Sequence, residues 1–160
     1  MAIIIKPMET EEEIRGKAFV HWKSWQESYA GIVDADYLAG MTLAETEEKA
    51  FRWRDNIFVA KDGERVVGFV GYGEARGEEV AGEVYALYVL EEYQRRGIGY
   101  ALMQRALDEL AGCRVIRLWA FAENKKALRF YERVGFHLDG EEKEIVLGTP
   151  ARGVRLTMEL

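Results

Sequence analysis

Tyr88-Val-Leu-Glu-Glu-Tyr-Gln94-Arg-Arg-Gly97-Ile-Gly99 is the stretch on which the reading of this 160-residue chain turns. It begins at the end of a strand predicted over 83–90, passes through a loop with two glycines, and runs straight into a helix predicted over 98–110. Ile98, Leu102, Ala106 and Leu110 recur at helical spacing on one face of that helix, and Gly112 supplies its stop. The first turn of a helix carries N–H groups without intrahelical partners and a partial positive charge, which suits an anion. Glycines let a backbone approach phosphate oxygens with no Cβ in the way. Arg95 and Arg96 add positive charge beside them. On spacing alone, a tight strand-to-helix turn with no ligand fits the same residues equally well. The loop is not a P-loop, because no Gly-Lys-Ser/Thr follows. It is not a dinucleotide fingerprint either, because Leu102 stands where a third glycine would be needed.

Working outward, residues 2–6 form a β-branched run that predicts a first strand. Thr10 with Glu13 is a capping-box pattern opening a helix over 11–29, whose buried face is marked by Ile14, Ala18, Trp22 and Trp25. Asp34 caps a short helix through Leu38, and Thr42 with Glu45 repeats the capping pattern for a helix to about residue 54. Strands follow over 56–61 and 65–73, joined by a hairpin turn at Asp62-Gly63. A Gly-rich turn leads into strand 83–90, and after the helix come a strand over 114–120, a helix over 124–134 ended by Gly135, and strands near 136–147 and 154–159. Hairpins at one end and two βα units at the other predict an α/β (α+β) architecture. Its centre is a mixed, mostly antiparallel sheet of six to seven strands flanked by helices, in one domain over 1–160.

Composition removes whole classes of function. A net charge of −6 disfavours nucleic acid, which needs a basic stripe. Two histidines, His21 and His137, and one cysteine, Cys113, are too few for an ordinary catalytic zinc site, so no metal is expected. No run is long enough to span a membrane, and the first residues do not read as a secretory signal, so a cytoplasmic location is the expectation. Cys113 reads as an inert half-buried thiol, His21 as surface or pocket rim, and residues 141–144 as a solvated acidic turn.

The segment Gln94-Arg-Arg-Gly97-Ile-Gly99 resembles the Gln/Arg-x-x-Gly-x-Gly/Ala signature of the GNAT superfamily of N-acetyltransferases. The strand Glu83-Val-Tyr-Ala-Leu-Tyr-Val89 precedes it as in that family. Downstream, Asn124-Lys-Lys-Ala127-Leu-Arg-Phe130-Tyr131-Glu-Arg-Val-Gly135-Phe136 is similar to the family's second block. Two blocks in the right order, with a matching pattern of elements between them, are far more specific than either alone. The segment 22–33 also resembles a bacterial branch that includes polyamine acetyltransferases.

The resemblance implies an acyl-CoA N-acyltransferase (GNAT) fold and an enzyme that moves the acetyl group of acetyl-CoA to an amine. The acceptor would be a small molecule, such as a polyamine or amino-acid-like amine, attacking directly in a ternary complex. It implies that the backbone N–H groups of Gln94, Arg95, Arg96, Gly97, Ile98, Gly99 and Tyr100 hold the CoA pyrophosphate. The pantetheine arm would pair with the backbone of Leu87 and Val89 on one side and lie near 119–121 on the other. Asn124, at a helix start where Asn caps well, would also contact CoA. A bulge is expected in strand 83–90. Tyr131 matches the tyrosine that protonates the departing thiolate, although its neighbours Leu128, Phe130 and Val134 also suit it to core packing. Glu83 stands where several members place a catalytic base, against the alternative of an exposed turn charge with water as proton path. Trp25, Tyr29 and Tyr85 are the candidate acceptor contacts, with Tyr88 an alternate for shaping that side. Two other functions fit the same residues: a protein or peptide N-acetyltransferase, which needs an open groove between 30–40 and 140–153, and a non-catalytic acyl-CoA-binding module. The exposed last strands could pair between copies, which makes a homodimer a candidate assembly.

Overall fold

The computed structural model describes residues 2–75 and 80–160. In chain order the elements are β1 (Ile3–Pro7), α1 (Glu11–Ser28), α2 (Ala35–Gly40), α3 (Leu43–Arg52), β2 (Ile57–Asp62), β3 (Arg65–Glu74), β4 (Ala81–Val89), α4 (Ile98–Glu109), β5 (Val115–Phe121), α5 (Lys125–Val134), β6 (His137–Leu147) and β7 (Thr149–Glu159). A short 3₁₀ turn, Glu91–Tyr93, follows β4. The strands form one seven-stranded sheet in the order β1-β2-β3-β4-β5-β7-β6. Its neighbours are antiparallel except β4 and β5, which run parallel. The expected mixed sheet flanked by helices is therefore present, at the upper end of the expected strand number.

Each face of the sheet is closed by helices whose apolar stripes the sequence period marks. Ile14, Ala18 and Val20 of α1 are buried with Phe69 and Val70 of β3, while Leu102, Met103 and Ala106 of α4 join the same core from the other face. Gly16 is needed where α1 crosses β3, because a Cβ there would stand 2.7 Å from the Val66 side chain. Helix α4 carries the chain from β4 to β5, and α5 carries it from β5 past β7 to β6. Right-handed crossovers put both on one face, opposite α1.

Local signals explain most of the boundaries. The Thr10 side chain accepts from Glu13 N and Glu13 accepts from Thr10 N, so the capping box of α1 is complete. Asp34 caps α2 and Asn124 caps α5 as the sequence suggests. At α3 only half of the box forms: Thr42 accepts from Glu45 N. The β2–β3 turn is centred on Gly63 and Glu64, since Asp62 still pairs with Arg65. Gly63 takes the positive φ of 59° that the first position of such a turn requires. Helix α4 ends at Leu110, before Gly112, whereas Gly135 with φ 125° does stop α5.

Residues 141–144 lie inside β6 and not in a turn. The sequence-level bend there is a bulge between Leu138 and Glu142, after which pairing with β7 resumes, and Glu142 forms an ion pair with Arg152. The Gly-rich turn expected before β4 falls on 76–79, outside the described residues.

One buried ion cluster ties α1 to the sheet edge. The Glu13 carboxylate, its side chain 3% exposed, accepts from Lys6 Nζ of β1 at 2.7 Å and Lys61 Nζ of β2 at 3.1 Å. It also accepts from the backbone N–H groups of Glu9 and Thr10. Burial pushes its pKa up, but the bonds from Lys6, Thr10, Glu9 and Lys61 together outweigh that and bring it to about 2 from 4.5. A pKa depressed on folding stabilises above the unfolded value and loses that contribution as pH falls through the folded one. Glu13→Gln should therefore lower the unfolding free energy at pH 7 by about 3 kcal/mol. The variant should also lack the matching share of the wild-type loss of stability between pH 5 and pH 2, as read by urea unfolding across that range.

Candidate active site

Strands β4 and β5 pair at only three positions, Ala81 with Val115, Gly82 with Ile116 and Glu83 with Arg117. Beyond them the strands part. The immediate cause is a bulge in β4: Gly71 opposes Ala86 and Tyr72 opposes Val84, so Tyr85 is the extra residue. On their outer sides both strands stay held, β4 by β3 and β5 by β7 along its whole length. Backbone N–H and C=O groups of β4 are thereby left facing an opening without a strand partner on that side. The opening is a cleft of about 610 Å³ whose lining includes 84–89 of β4 and 118–121 of β5.

At the far end of β4 the chain enters the glycine loop. Arg95 sits at φ 65° and Gly97 at φ 79°, two left-handed residues that curl the backbone into a concavity. A non-glycine residue there is uncommon, and Arg95 holds that conformation at the rim of the cleft. The first rung of α4 is Ala101 N to Gly97 O at 3.0 Å, so the amides of Ile98, Gly99 and Tyr100 precede the helical ladder. The Gln94 side chain fixes this loop at both ends: its Nε2 donates to Val89 O at 3.0 Å, and its Oε1 accepts from Lys126 Nζ of α5 at 2.7 Å. Asn124 caps α5 through Ala127 N, and Phe130 packs 3.7 Å from the Cβ position of Gly99. The first turns of α4 and α5 are thus held together along the cleft.

Three tyrosines converge on the same cleft from different elements: Tyr29 at the end of α1, Tyr88 from β4 and Tyr131 from α5. The Tyr29 and Tyr88 hydroxyls lie 2.8 Å apart, and Trp25 Nε1 donates to the Tyr88 oxygen at 3.0 Å. Tyr131 is wedged edge-on between Phe130 and Phe136, and among the described residues nothing hydrogen-bonds its hydroxyl. Burial drives its pKa well above the ordinary phenol value, and nearby Tyr29 adds to the effect. Burial likewise raises Tyr88 and Tyr29. All three phenols are neutral at pH 7. His21 is half-buried and outside the cleft lining: its ring stacks on Tyr88 and tilts against Trp25 and Phe69. Burial, with Lys17 and Lys49 nearby, brings its pKa down to about 4, so it too is neutral.

Of the residues singled out from sequence, Tyr131, Leu87, Val89, Gln94, Arg95, Gly97, Gly99, Tyr100, Asn124, Tyr29 and Tyr85 all line the cleft. Arg96 and Ile98 belong to the loop but not the lining; Arg96 lies over the Tyr93 ring and Ile98 is in the core. Trp25 does not line the cleft and acts on it through Tyr88 and Tyr29. Glu83 is 7% exposed, sits at the apex where the strands part, and does not line the opening. Sequence reasoning missed the Gln94–Lys126 bridge and the Tyr29–Tyr88 bond, which join residues far apart in the chain. Glu27 and Glu91 also line the cleft, beside the glycine loop. Burial raises the Glu27 carboxyl; Lys23 nearby lowers it and Glu91 raises it further.

A family model described as acetyltransferase (GNAT) family matches residues 18–136, the span from within α1 through the parted strands and the loop to the end of α5. The chain belongs to the GNAT acetyltransferase family. Its sequence is 36% identical to the uncharacterized N-acetyltransferase YuaI of Bacillus subtilis, across 87% of this chain and 88% of that protein. It is 28% identical to the [ribosomal protein bS18]-alanine N-acetyltransferase of Escherichia coli, across 66% of this chain and 86% of that one. The fold superposes on PaiA N-acetyltransferase from Thermoplasma acidophilum in complex with coenzyme A, with TM-score 0.77, full coverage of both chains and 20% identity. This GNAT protein is an acetyl-CoA-dependent N-acetyltransferase.

For a GNAT loop of this shape, the left-handed turn at Gly97 is the residue-specific demand. Open space surrounds its Cβ position, so a substitution there meets only backbone strain. Gly97→Val should raise the Kd for CoA by about tenfold, since a β-branched residue at positive φ costs about 1–2 kcal/mol. Far-UV circular dichroism should be unchanged. Calorimetric titration of both proteins with CoA checks it.

Proposed function

We propose that the protein acetylates a primary amine of a small molecule by direct attack on acetyl-CoA within a ternary complex, with Tyr131 as the acid for the thiolate. The parting of β4 from β5 carries this reading. It leaves strand backbone at Leu87 and Val89 for the pantetheine amides, aims the amides from Gln94 to Tyr100 at the pyrophosphate, with Asn124 beside them, and brings the thioester to the three phenols. Tyr131 enters as a neutral phenol with no competing partner among the described residues, so its proton is available to sulfur as the carbon–sulfur bond breaks. An amine attacks only when neutral, and an aromatic cleft of this kind disfavours the ammonium form. Glu83 remains the candidate base for the ammonium proton lost before attack, acting from the apex through an intervening group; the proton lost on attack is a second one. Tyr29 and Tyr85 face the acceptor, and Trp25 supports Tyr29 from α1.

The acceptor side supports a small molecule over a protein. The two segments that would flank a peptide groove touch each other. A Cβ on Gly148, in the β6–β7 turn, would stand 2.6 Å from Asp34 Oδ2 at the start of α2. Val33, Leu38 and Phe121 bury a joint apolar cluster with Ile145 and Leu147. A peptide would have to displace that hairpin. The likeness to a protein-alanine acetyltransferase favours the other reading, so the two are tested side by side.

Thiol release from acetyl-CoA should be observed with spermidine or a simple alkylamine, and be far slower with a peptide bearing an N-terminal alanine. Tyr131→Phe keeps the ring and its packing. It should lower kcat about a hundredfold or more while the Kd for CoA stays unchanged. Full kcat in that variant would remove Tyr131 from the mechanism.

A further inference from the structure

The attacking nitrogen must lose a proton, and the apex carboxylate of Glu83 does not reach the cleft lining. What the opposite wall offers is the hydroxyl pair of Tyr29 and Tyr88. Two hydroxyls hold two protons and four lone pairs between them. Their mutual bond uses one of each, and the Trp25 N–H uses one lone pair of Tyr88, because indole is a donor only. One proton and two lone pairs remain. Whichever way the mutual bond points, the pair can accept one hydrogen bond and donate another at the same time.

We propose that the Tyr29–Tyr88 hydroxyl pair, oriented by Trp25, is the proton relay for the acceptor nitrogen. The inference rests on the reading of this cleft as the acetyl-transfer site. In the step, the nitrogen–carbon bond forms and the carbon–sulfur bond breaks. The proton of the attacking nitrogen moves to one phenol oxygen as the free proton of the pair passes to water in the cleft. Tyr131 gives its proton to the leaving sulfur and recovers one from the same water. Protons balance and no phenolate accumulates on the nitrogen side, consistent with burial that keeps both phenols neutral. The aromatic surround supports this geometry. Tyr29 packs edge-on against Phe121 and Trp25, and Tyr88 is held between His21 and Phe69, so neither ring is free to swing its oxygen away. Trp25, which does not touch the cleft, acts here as a positioning residue through Tyr88.

The test uses propylamine and spermidine as acceptors, both slim enough to enter the cleft, with thiol release in water and in mixtures with heavy water. Tyr88→Phe and Tyr29→Phe each remove one oxygen and keep the ring. Each should lower kcat about tenfold to a hundredfold at unchanged KM for acetyl-CoA. The wild-type dependence of rate on deuterium fraction should be curved, as for several protons in flight, and become less curved in Tyr88→Phe, where the relay protons drop out and that of Tyr131 remains. Trp25→Phe should show part of the kcat loss with the same KM values, and a straightened deuterium dependence. Wild-type kcat and curvature in both tyrosine variants would overturn the relay alone. A wild-type protein that binds CoA but releases no thiol with either amine would overturn the small-amine reading, and the relay with it.

Discussion

The site depends on one interruption of backbone hydrogen bonding. Among the described residues, the sheet's only parallel contact is between β4 and β5, and that contact lasts three residues. Parallel pairs are slightly weaker per residue than antiparallel ones, and each strand here is already anchored on its other side. The bulge at Tyr85 then rotates β4 out of register, and nothing pulls the two strands back together. A sheet normally hides its ladder groups from ligands. This one leaves a short edge in its own interior, where an amide-bearing chain can complete the pairing.

Where the interruption ends, the loop takes over, and its charge runs against that of the whole chain. A net charge of −6 repels polyanions at a distance. The basic residues that oppose this are local: Arg95, Lys126 and Arg133 line the cleft. Gln94 is central because it couples the groups that matter. It draws Lys126 toward the loop and pins the loop to the last carbonyl of β4, so the strand edge and the amide nest keep one spacing. A diphosphate joined to a pantetheine arm needs that spacing fixed, since both ends belong to one ligand.

Much of this was legible because it is local. The glycine loop, the α4 stripe and the caps at Thr10, Asp34 and Asn124 each follow from residues within a few positions of one another, whereas the bulge in β4 was expected only from the family resemblance. What was not legible is long-range. His21 reads as a surface residue by type, yet α1 turns it toward Tyr88, and no local pattern reveals that a strand aromatic will stack on it. Tyr29 and Tyr88 are joined by a hydrogen bond across 59 positions. Glu83 reads as an acidic strand end suited to a base, whereas strand pairing on both sides carries it to the apex, away from the opening. The acidic run 141–144 misled because charge suggests a turn, while the pairing partners on β7 decide the strand.

The choice of phenols over carboxylates on the nitrogen side has a physical reason. A carboxylate buried beside the thioester would attract the acceptor, but as an ammonium, whose lone pair is occupied. At low effective dielectric that attraction is worth several kcal/mol, and it would have to be undone before attack. Neutral hydroxyls bind the amine without selecting its charged form, and burial supplies the bias toward the neutral one. His21 shares this character, held neutral with a pKa of about 4, whereas Lys17, over the Phe69 ring, is lowered by burial to about 8 and stays mostly charged at pH 7. A cationic Lys17 behind that ring further discourages an ammonium in the cleft. Two carboxylates do line the opening, Glu27 and Glu91. Such a chamber favours amines that give up their proton easily on desolvation, and it makes the hydrogen-bond order of the hydroxyls, rather than a strong base, the quantity on which the rate turns.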